Sequence, residues 1–122
     1  MTRNPLNIYD GPARVREILF SEHTPEPVVG KCFSRLSPVS YRVMVLDMTL
    51  TNRVRPEVVS APLLVVGGEC DGHITKMELQ ATARAYNLVP EVFPRMGHNM
   101  MLEPGWRAVA ERIDGWLTTH EL

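Results

Sequence analysis

Two residues of this chain, Asp71 and His98, have the side-chain types and the positions that proton-transfer chemistry requires. Each follows a short apolar run typical of a buried strand, the first at residues 62–66 and the second at residues 89–93. Side chains that follow neighbouring parallel strands meet at the same edge of a sheet. An aspartate there can hold an imidazole in one tautomer and stabilise the imidazolium that forms on protonation. The sequence therefore predicts an Asp–His pair of orienting acid and general base.

The elements that position this pair are predicted to form a βαβ unit followed by a last helix. Thr75 and Glu78 have the spacing of a capping box, which predicts a helix from here to about Tyr86. The run at residues 62–66 is continuously apolar, which indicates a strand of a sheet that helices cover on both faces. The last helix is predicted to begin at Pro104. Its buried face is predicted to consist of Trp106, Val109, Ala110, Ile113 and Leu117.

The first part of the chain is predicted to form short helices separated by prolines. Gly11-Pro12 precedes apolar residues at helical spacing, which predicts a first helix. Thr24 followed by Pro25 predicts a cap and the start of a second helix. Ser37 before a proline predicts a third start, ahead of the apolar residues 41–50. The residues expected to face inward are Val15, Ile18 and Leu19 in the first helix, and Val28, Val29, Cys32, Phe33 and Leu36 in the second.

The residues around Asp71 and His98 resemble the C-terminal part of the α/β-hydrolase family, in particular its lipase-, esterase- and lysophospholipase-like members. In that family the acid lies three residues after the glycine that ends its strand, as Asp71 does after Gly68. The histidine follows a glycine in the loop after the last strand, as in Gly97-His98, and the order of acid and histidine also agrees. The resemblance covers residues 55–122 and is weaker over residues 1–54.

This resemblance implies an α/β protein with a partial α/β-hydrolase fold. Residues 1–54 are expected to form a helical lid, and residues 55–122 a βαβα part of the core with a short parallel sheet. The implied activity is hydrolysis of a small or lipid-like carboxylic ester by a Ser-Asp-His triad. The chain contains no Gly-x-Ser-x-Gly, so a complementing chain is expected to supply the nucleophile, or the gene is truncated. Alone, the chain is predicted to be inactive.

A second interpretation is a non-catalytic remnant that serves as a binding or assembly module. Two strands are too few to form a stable sheet without further cover. The strand at residues 63–66 is then expected to expose an unpaired apolar edge, to which another chain or a second copy can bind. Both interpretations share one fold, so both remain open at this point.

Three other residues compete for a role in the site. Glu69 is a second candidate for the acid, but the offset from Gly68 favours Asp71. Cys70 and His73 have the spacing of half a structural zinc site, and no second pair accompanies them. The sequence therefore predicts no metal ion.

Composition excludes several classes of function. The formal net charge of −1 provides no basic surface for nucleic acid. No apolar run approaches the ~20 residues of a membrane span, and no apolar core of signal-peptide type follows the first residues. Cys32 and Cys70 lie far apart and form no disulfide or metal framework. We therefore expect a cytoplasmic protein with no cofactor, no nucleic-acid partner and no membrane span.

Overall fold

The computed structural model describes residues 9–37 and 55–121 of the 122-residue chain. This part of the chain is a mixed α/β structure in which four α-helices accompany a two-stranded parallel sheet. The predicted third helix, at residues 37–50, falls almost entirely outside the described residues. The elements are α1 (Pro12–Leu19), α2 (Glu26–Phe33), β1 (Val66–Gly68), α3 (Lys76–Ala85), β2 (Glu91–Phe93) and α4 (Trp106–Thr119), with single 3-10 turns at Pro56–Val58 and Met100–Leu102.

The predicted βαβ unit is confirmed. Strands β1 and β2 pair in parallel, with Val66 opposite Glu91, and α3 connects them. The capping box at the start of α3 is also present, because Thr75 Oγ1 accepts a hydrogen bond from the Glu78 N–H at 3.3 Å. In return, Glu78 Oε2 accepts one from the Thr75 N–H at 2.8 Å. The box satisfies two amides that the first turn of a helix otherwise leaves free.

Strand β1 lies further along the chain than the apolar run at residues 62–66 predicted. Pairing begins only at Val66 and includes the two glycines that follow. These glycines are required by close packing on both faces of the strand. A Cβ atom on Gly67 would overlap the Leu79 side chain of α3, and one on Gly68 would overlap the backbone of the loop after β2. The strand is thus held between α3 and the loop that carries His98.

Helices α1 and α2 pack together, and with Phe20, which directly follows α1, they contribute five of the nine buried apolar residues of the described part. The first helix is confirmed, and Val29 of α2 packs against it. The predicted capping of α2 by Thr24 is wrong, because Pro25 occupies the N-cap position and the Thr24 hydroxyl donates to Glu103 instead. The buried face of α1 consists of Val15, Ile18 and Leu19.

The predicted buried face of α4 is largely wrong. The helix begins at Trp106 rather than at Pro104, and Val109 is its one buried residue. Trp106, Ile113 and Leu117 are 46%, 37% and 37% exposed, because few of the described elements pack against this helix. α4 is the longest helix of the described part, and no helix of residues 9–37 or 55–121 has the length and apolar character that a membrane crossing requires.

Candidate active site

The structure brings Asp71 and His98 together, although they lie 27 positions apart in the sequence. Nδ1 of His98 is 2.9 Å from Oδ2 of Asp71. Asp71 lies in the loop after β1, and His98 lies in the loop after β2. The parallel pairing of the two strands therefore places both loops at one edge of the sheet.

The carboxylate of Asp71 is fixed in the orientation that this contact needs. Its Oδ1 accepts hydrogen bonds from the N–H groups of His73 and Ile74, both at 2.8 Å. The other oxygen is thereby directed at the imidazole. The Asp71 side chain is 8% exposed, whereas that of His98 is 36% exposed. The acid is thus shielded from solvent, and the histidine remains accessible to a reactant.

The contact with Asp71 also determines which nitrogen of His98 can act as a base. An ionised carboxylate only accepts hydrogen bonds, so Nδ1 carries the proton in the neutral imidazole. The lone pair of Nε2 is then free to take a proton from another group. Within the described part of the chain, Nε2 makes no hydrogen bond. The pair therefore has the geometry of an orienting acid and a general base.

A cleft of about 170 Å³ borders this pair. It is smaller than the roughly 300–1,000 Å³ of ordinary ligand pockets. A space of this size holds the reacting group of a small substrate, but it does not enclose a long acyl chain. Besides Asp71 and His98, its side-chain lining includes Val66, Glu69, Ile74, Lys76, Leu79, Val92 and Met100.

Among the described residues, the competing residue Glu69 makes no hydrogen bond or ion pair with His98. Its Oε2 accepts a hydrogen bond from the Arg95 N–H at 3.0 Å. Arg95 has a φ angle of 58°, in the left-handed region that few residues other than glycine adopt. Glu69 therefore stabilises the turn between β2 and His98, while Asp71 pairs with the imidazole.

The structure adds His73 to the site. The rings of His73 and His98 meet edge to face, with their centroids 4.9 Å apart. Sequence reasoning considered His73 only as part of an incomplete zinc pattern. Among residues 9–37 and 55–121, no group of three or more His, Cys, Asp or Glu side chains is placed to hold a metal ion. His73 thus donates its backbone N–H to Asp71 and contacts His98 through its ring.

Both cysteines are free thiols, and neither has the surroundings of an activated nucleophile. Although Cys70 is exposed, partial desolvation raises the pKa of its thiol, and the negative charges of Glu69, Glu103 and Glu22 raise it further. A raised pKa disfavours the reactive thiolate at neutral pH. Cys32 packs against the α1 core, and its Sγ accepts a hydrogen bond from Asn99 Nδ2 at 3.7 Å.

Glu103 is a buried charged residue that sequence reasoning missed, with 1% of its surface exposed. Its Oε1 accepts hydrogen bonds from the N–H groups of Ser21 at 2.6 Å and Gly97 at 2.9 Å. Its Oε2 accepts from the hydroxyls of Ser21 at 2.8 Å and Thr24 at 2.5 Å. Burial alone raises the pKa of this carboxyl, but the hydrogen bonds from Thr24, Ser21 and Gly97 outweigh it and hold the pKa below its ordinary value. The signal for Glu103 in the sequence is an acidic residue that interrupts an apolar run just after His98.

Comparisons of the chain with protein-family models, with curated proteins and with solved structures found no match. The resemblance to α/β-hydrolases therefore stays a prediction from the residues around Asp71 and His98. The chemistry of the site is inferred from the contacts that its own residues make.

Proposed function

We propose that this chain is the C-terminal portion of a serine hydrolase with the α/β-hydrolase fold. In this proposal it supplies the acid and the histidine of a Ser-Asp-His triad for hydrolysis of carboxylic esters. The hydrogen bond of 2.9 Å between His98 Nδ1 and Asp71 Oδ2 carries the proposal. The two backbone amides on the other oxygen of Asp71 support it, because they fix the acid before any reactant arrives.

The proposed chemistry proceeds through an acyl-enzyme. Nε2 of His98 takes the proton of the serine hydroxyl while the serine oxygen attacks the ester carbonyl. Asp71 stabilises the resulting imidazolium, which then protonates the departing alcohol. In the second half, His98 takes a proton from water as the water attacks the acyl group, and it returns that proton to the serine. Because the sequence contains no Gly-x-Ser-x-Gly, the serine and the oxyanion donors of the proposed triad lie outside it.

The lining of the cleft supports a small ester or a lipid-like substrate. Ile74, Leu79 and Met100 give the cleft an apolar wall next to His98. Methionine adapts to irregular apolar shapes, which suits the first carbons of an acyl chain. The complementing chain is then needed to enclose the remainder of the substrate.

Co-expression of this chain with the product of the DNA upstream of it tests this proposal. Translation of the DNA upstream of this chain in all three forward frames is expected to give an apolar strand followed by Gly-x-Ser-x-Gly. The complex of both products is expected to hydrolyse p-nitrophenyl butyrate. Asp71→Asn is expected to lower kcat on the order of 10⁴-fold, and His98→Ala on the order of 10⁶-fold. His120→Ala, at an exposed histidine next to α4, is the matched control and should leave the rate unchanged.

Two results would contradict the proposal. One is a complex that contains the upstream product and shows no ester hydrolysis. The other is hydrolysis by this chain alone that disappears in His98→Ala, since the nucleophile would then lie within the chain.

A second candidate function, binding through the edge of the sheet, is favoured by the free side of β1. The Val65 carbonyl accepts a hydrogen bond from the Glu91 N–H at 2.9 Å, so Val65 faces β2. Backbone groups alternate along a strand, and those of Val66 therefore face the opposite edge. Among the described residues no strand pairs there. An extended segment of another chain can bind to such an edge.

Val66→Pro separates this function from catalysis. Proline removes an N–H from the open edge and leaves the pairing of Val65 with β2 in place. If the edge binds a partner or a second copy, this variant abolishes association in analytical ultracentrifugation, and His98→Ala does not. Equal association of wild type and Val66→Pro would rule out the edge as the interface.

We further propose that the protein acts in a reducing, cytoplasmic compartment. The free thiols of Cys32 and Cys70 support this, because disulfides are rare in such compartments. Mass spectrometry after alkylation without prior reduction is expected to find both cysteines modified.

A further inference from the structure

We propose that Glu103 is a positioning residue for the Asp71–His98 pair. Its buried carboxylate joins the loop that carries His98 to the turn at residues 20–24, and this connection holds the imidazole against Asp71. The catalytic meaning of this role rests on the proposed hydrolase function. The hydrogen bond that it maintains is a property of this chain and can be measured without any reaction.

One oxygen of Glu103 bridges two segments that are far apart in the sequence. Oε1 accepts from the N–H of Gly97, the residue directly before His98, and from the N–H of Ser21. A backbone N–H cannot turn away when its acceptor is lost, so both donors depend on this oxygen. The position of the His98 backbone is therefore tied to the turn at residues 20–24.

The turn itself is held between an anion and a cation. Oε2 of Glu103 accepts from the hydroxyls of Ser21 and Thr24. From the other side, Arg16 donates to the Ser21 carbonyl at 3.0 Å and to the Thr24 carbonyl at 2.6 Å. A turn fixed by charged groups on both sides provides a rigid attachment point for the loop.

The segment that leads into this turn contacts both loops of the site. The carbonyl of Ile18 accepts from the Gly72 N–H at 3.2 Å, directly after Asp71. The carbonyl of the next residue, Leu19, accepts from the Asn99 N–H at 2.9 Å, directly after His98. Two consecutive carbonyls at the end of α1 therefore set the spacing between the acid and the base.

Glycines permit this close approach of the three segments. A Cβ atom on Gly72 would overlap the Glu17 carbonyl, and one on Gly97 would overlap the backbone of Phe20. Both loops thus lie in direct backbone contact with the end of α1 and the start of the turn. Glu103 binds the loop that carries His98. Its loss is therefore expected to displace the histidine before it displaces the acid.

The experiment is ¹⁵N NMR of the histidine rings in the purified chain. Nδ1 and Nε2 shifts report the tautomer of His98, the Nδ1–H proton reports the bond to Asp71, and His98→Asn assigns the signals. Glu103→Met keeps roughly the length of the side chain but removes both carboxylate oxygens and leaves only a weakly accepting thioether sulfur. We expect it to abolish the Nδ1–H signal and to give a mixed tautomer, while circular dichroism still shows the native helices.

Two further variants make the readout specific. Glu103→Gln is expected to restore the wild-type signals, because its amide oxygen can serve the two N–H donors while the hydroxyls accept from its NH₂ group. Glu111→Met, at an exposed position on α4, is the control and should match wild type. If Glu103→Met does not fold, Glu103→Asp carries the test, because its shorter carboxylate cannot reach both Gly97 and Ser21.

A folded Glu103→Met or Glu103→Asp protein with unchanged tautomer and Nδ1–H signal would overturn the proposal. In the co-expressed complex, the same displacement of His98 is expected to lower kcat about 100-fold with little change in KM. NMR changes as expected with no ester hydrolysis by the wild-type complex would reject the hydrolase function and leave the positioning role of Glu103 intact.

Discussion

Two regions of the molecule differ sharply in burial. The described residues bury the loops around the candidate site much more completely than they bury the two-stranded sheet and α4. At the site, Glu103 is 1% exposed, and both of its carboxylate oxygens accept hydrogen bonds from the segment at residues 21–24. In the sheet region, the strands pair over three residues each, and α4 buries only Val109. The site is thus constructed from contacts within this chain, whereas the apolar surfaces of the sheet region lack comparable cover among the described residues.

This contrast indicates how the proposed hydrolase is divided. The Asp–His pair needs a fixed distance and a fixed tautomer, and both are determined by contacts that this chain makes alone. The nucleophile needs a strand followed by a turn. That strand can pair with the open edge of β1. The proposal therefore assigns the positioning of the base to this chain and the cover of the sheet to its complement.

The largest effect on stability is expected at Glu103. Glu103→Ala leaves four buried donors without an acceptor, and each unsatisfied group costs about 1–3 kcal/mol. The free energy of unfolding in urea should therefore fall by about 4 kcal/mol or more. Glu111→Ala, on the exposed surface of α4, should change it by less than about 0.5 kcal/mol. Similar losses of unfolding free energy in Glu103→Ala and Glu111→Ala would show that the two regions do not differ in this way.

A matched pair of isoleucines compares apolar packing in the two regions. Ile18 of α1 is 6% exposed, whereas Ile113 of α4 is 37% exposed. Ile18→Ala is expected to cost about 2–5 kcal/mol through lost burial and cavity formation, and Ile113→Ala under about 1 kcal/mol. Urea unfolding of both variants measures this difference. If α4 contacts the complementing chain, the cost of Ile113→Ala should rise in the complex, and an unchanged cost would place that contact elsewhere.

The pH dependence of stability tests the charge on Glu103. Its pKa in the folded protein is below the ordinary value of about 4.3, so the charged form stabilises the fold. This stabilisation is fully present above the unfolded pKa and is lost as the pH falls through the folded pKa. Urea midpoints should therefore decline below about pH 4, and Glu103→Gln should flatten this decline. Glu78, whose pKa is lowered by hydrogen bonds from Thr75, is exposed, so Glu78→Gln should flatten it less.

The smallest effect is expected from the cap of α3. Thr75→Ala removes the hydroxyl that accepts from the Glu78 N–H, and loss of such a cap costs about 1 kcal/mol. Thr75→Ser keeps the hydroxyl and should be close to wild type in the same urea experiment. If Thr75→Ala lowers the free energy of unfolding by much more than Ile18→Ala does, the βαβ unit, and not the site region, dominates stability.

The parts of the molecule that sequence reasoning predicted correctly are those with local signals. The capping box at Thr75 and the inward face of α1 depend on spacings of a few residues, which can be read directly. Asp71 and His98 can be paired from the sequence because each follows an apolar strand, and the structure brings the two side chains into contact, while their catalytic role stays a prediction. Glu103 was not, since its partners Ser21 and Thr24 lie 82 and 79 positions away and have no distinctive pattern.

The errors at β1 and α4 have a different physical origin. Hydrophobicity indicates which residues are suited to burial, but pairing and cover depend on which elements lie alongside. The pairing of Gly67 depends on α3 and β2, and so the apolar run before it gave the wrong bounds for the strand. Ile113 and Leu117 have helical spacing, yet the described elements leave both exposed.

The most direct test of the central claim is fluorophosphonate labelling of the co-expressed complex, followed by mass spectrometry of the modified peptide. We predict that the label is found on the serine of the complementing chain, and that labelling is lost in His98→Ala and retained in His120→Ala. Labelling of that serine at the wild-type rate in His98→Ala, or labelling of a residue within this chain, would contradict the account.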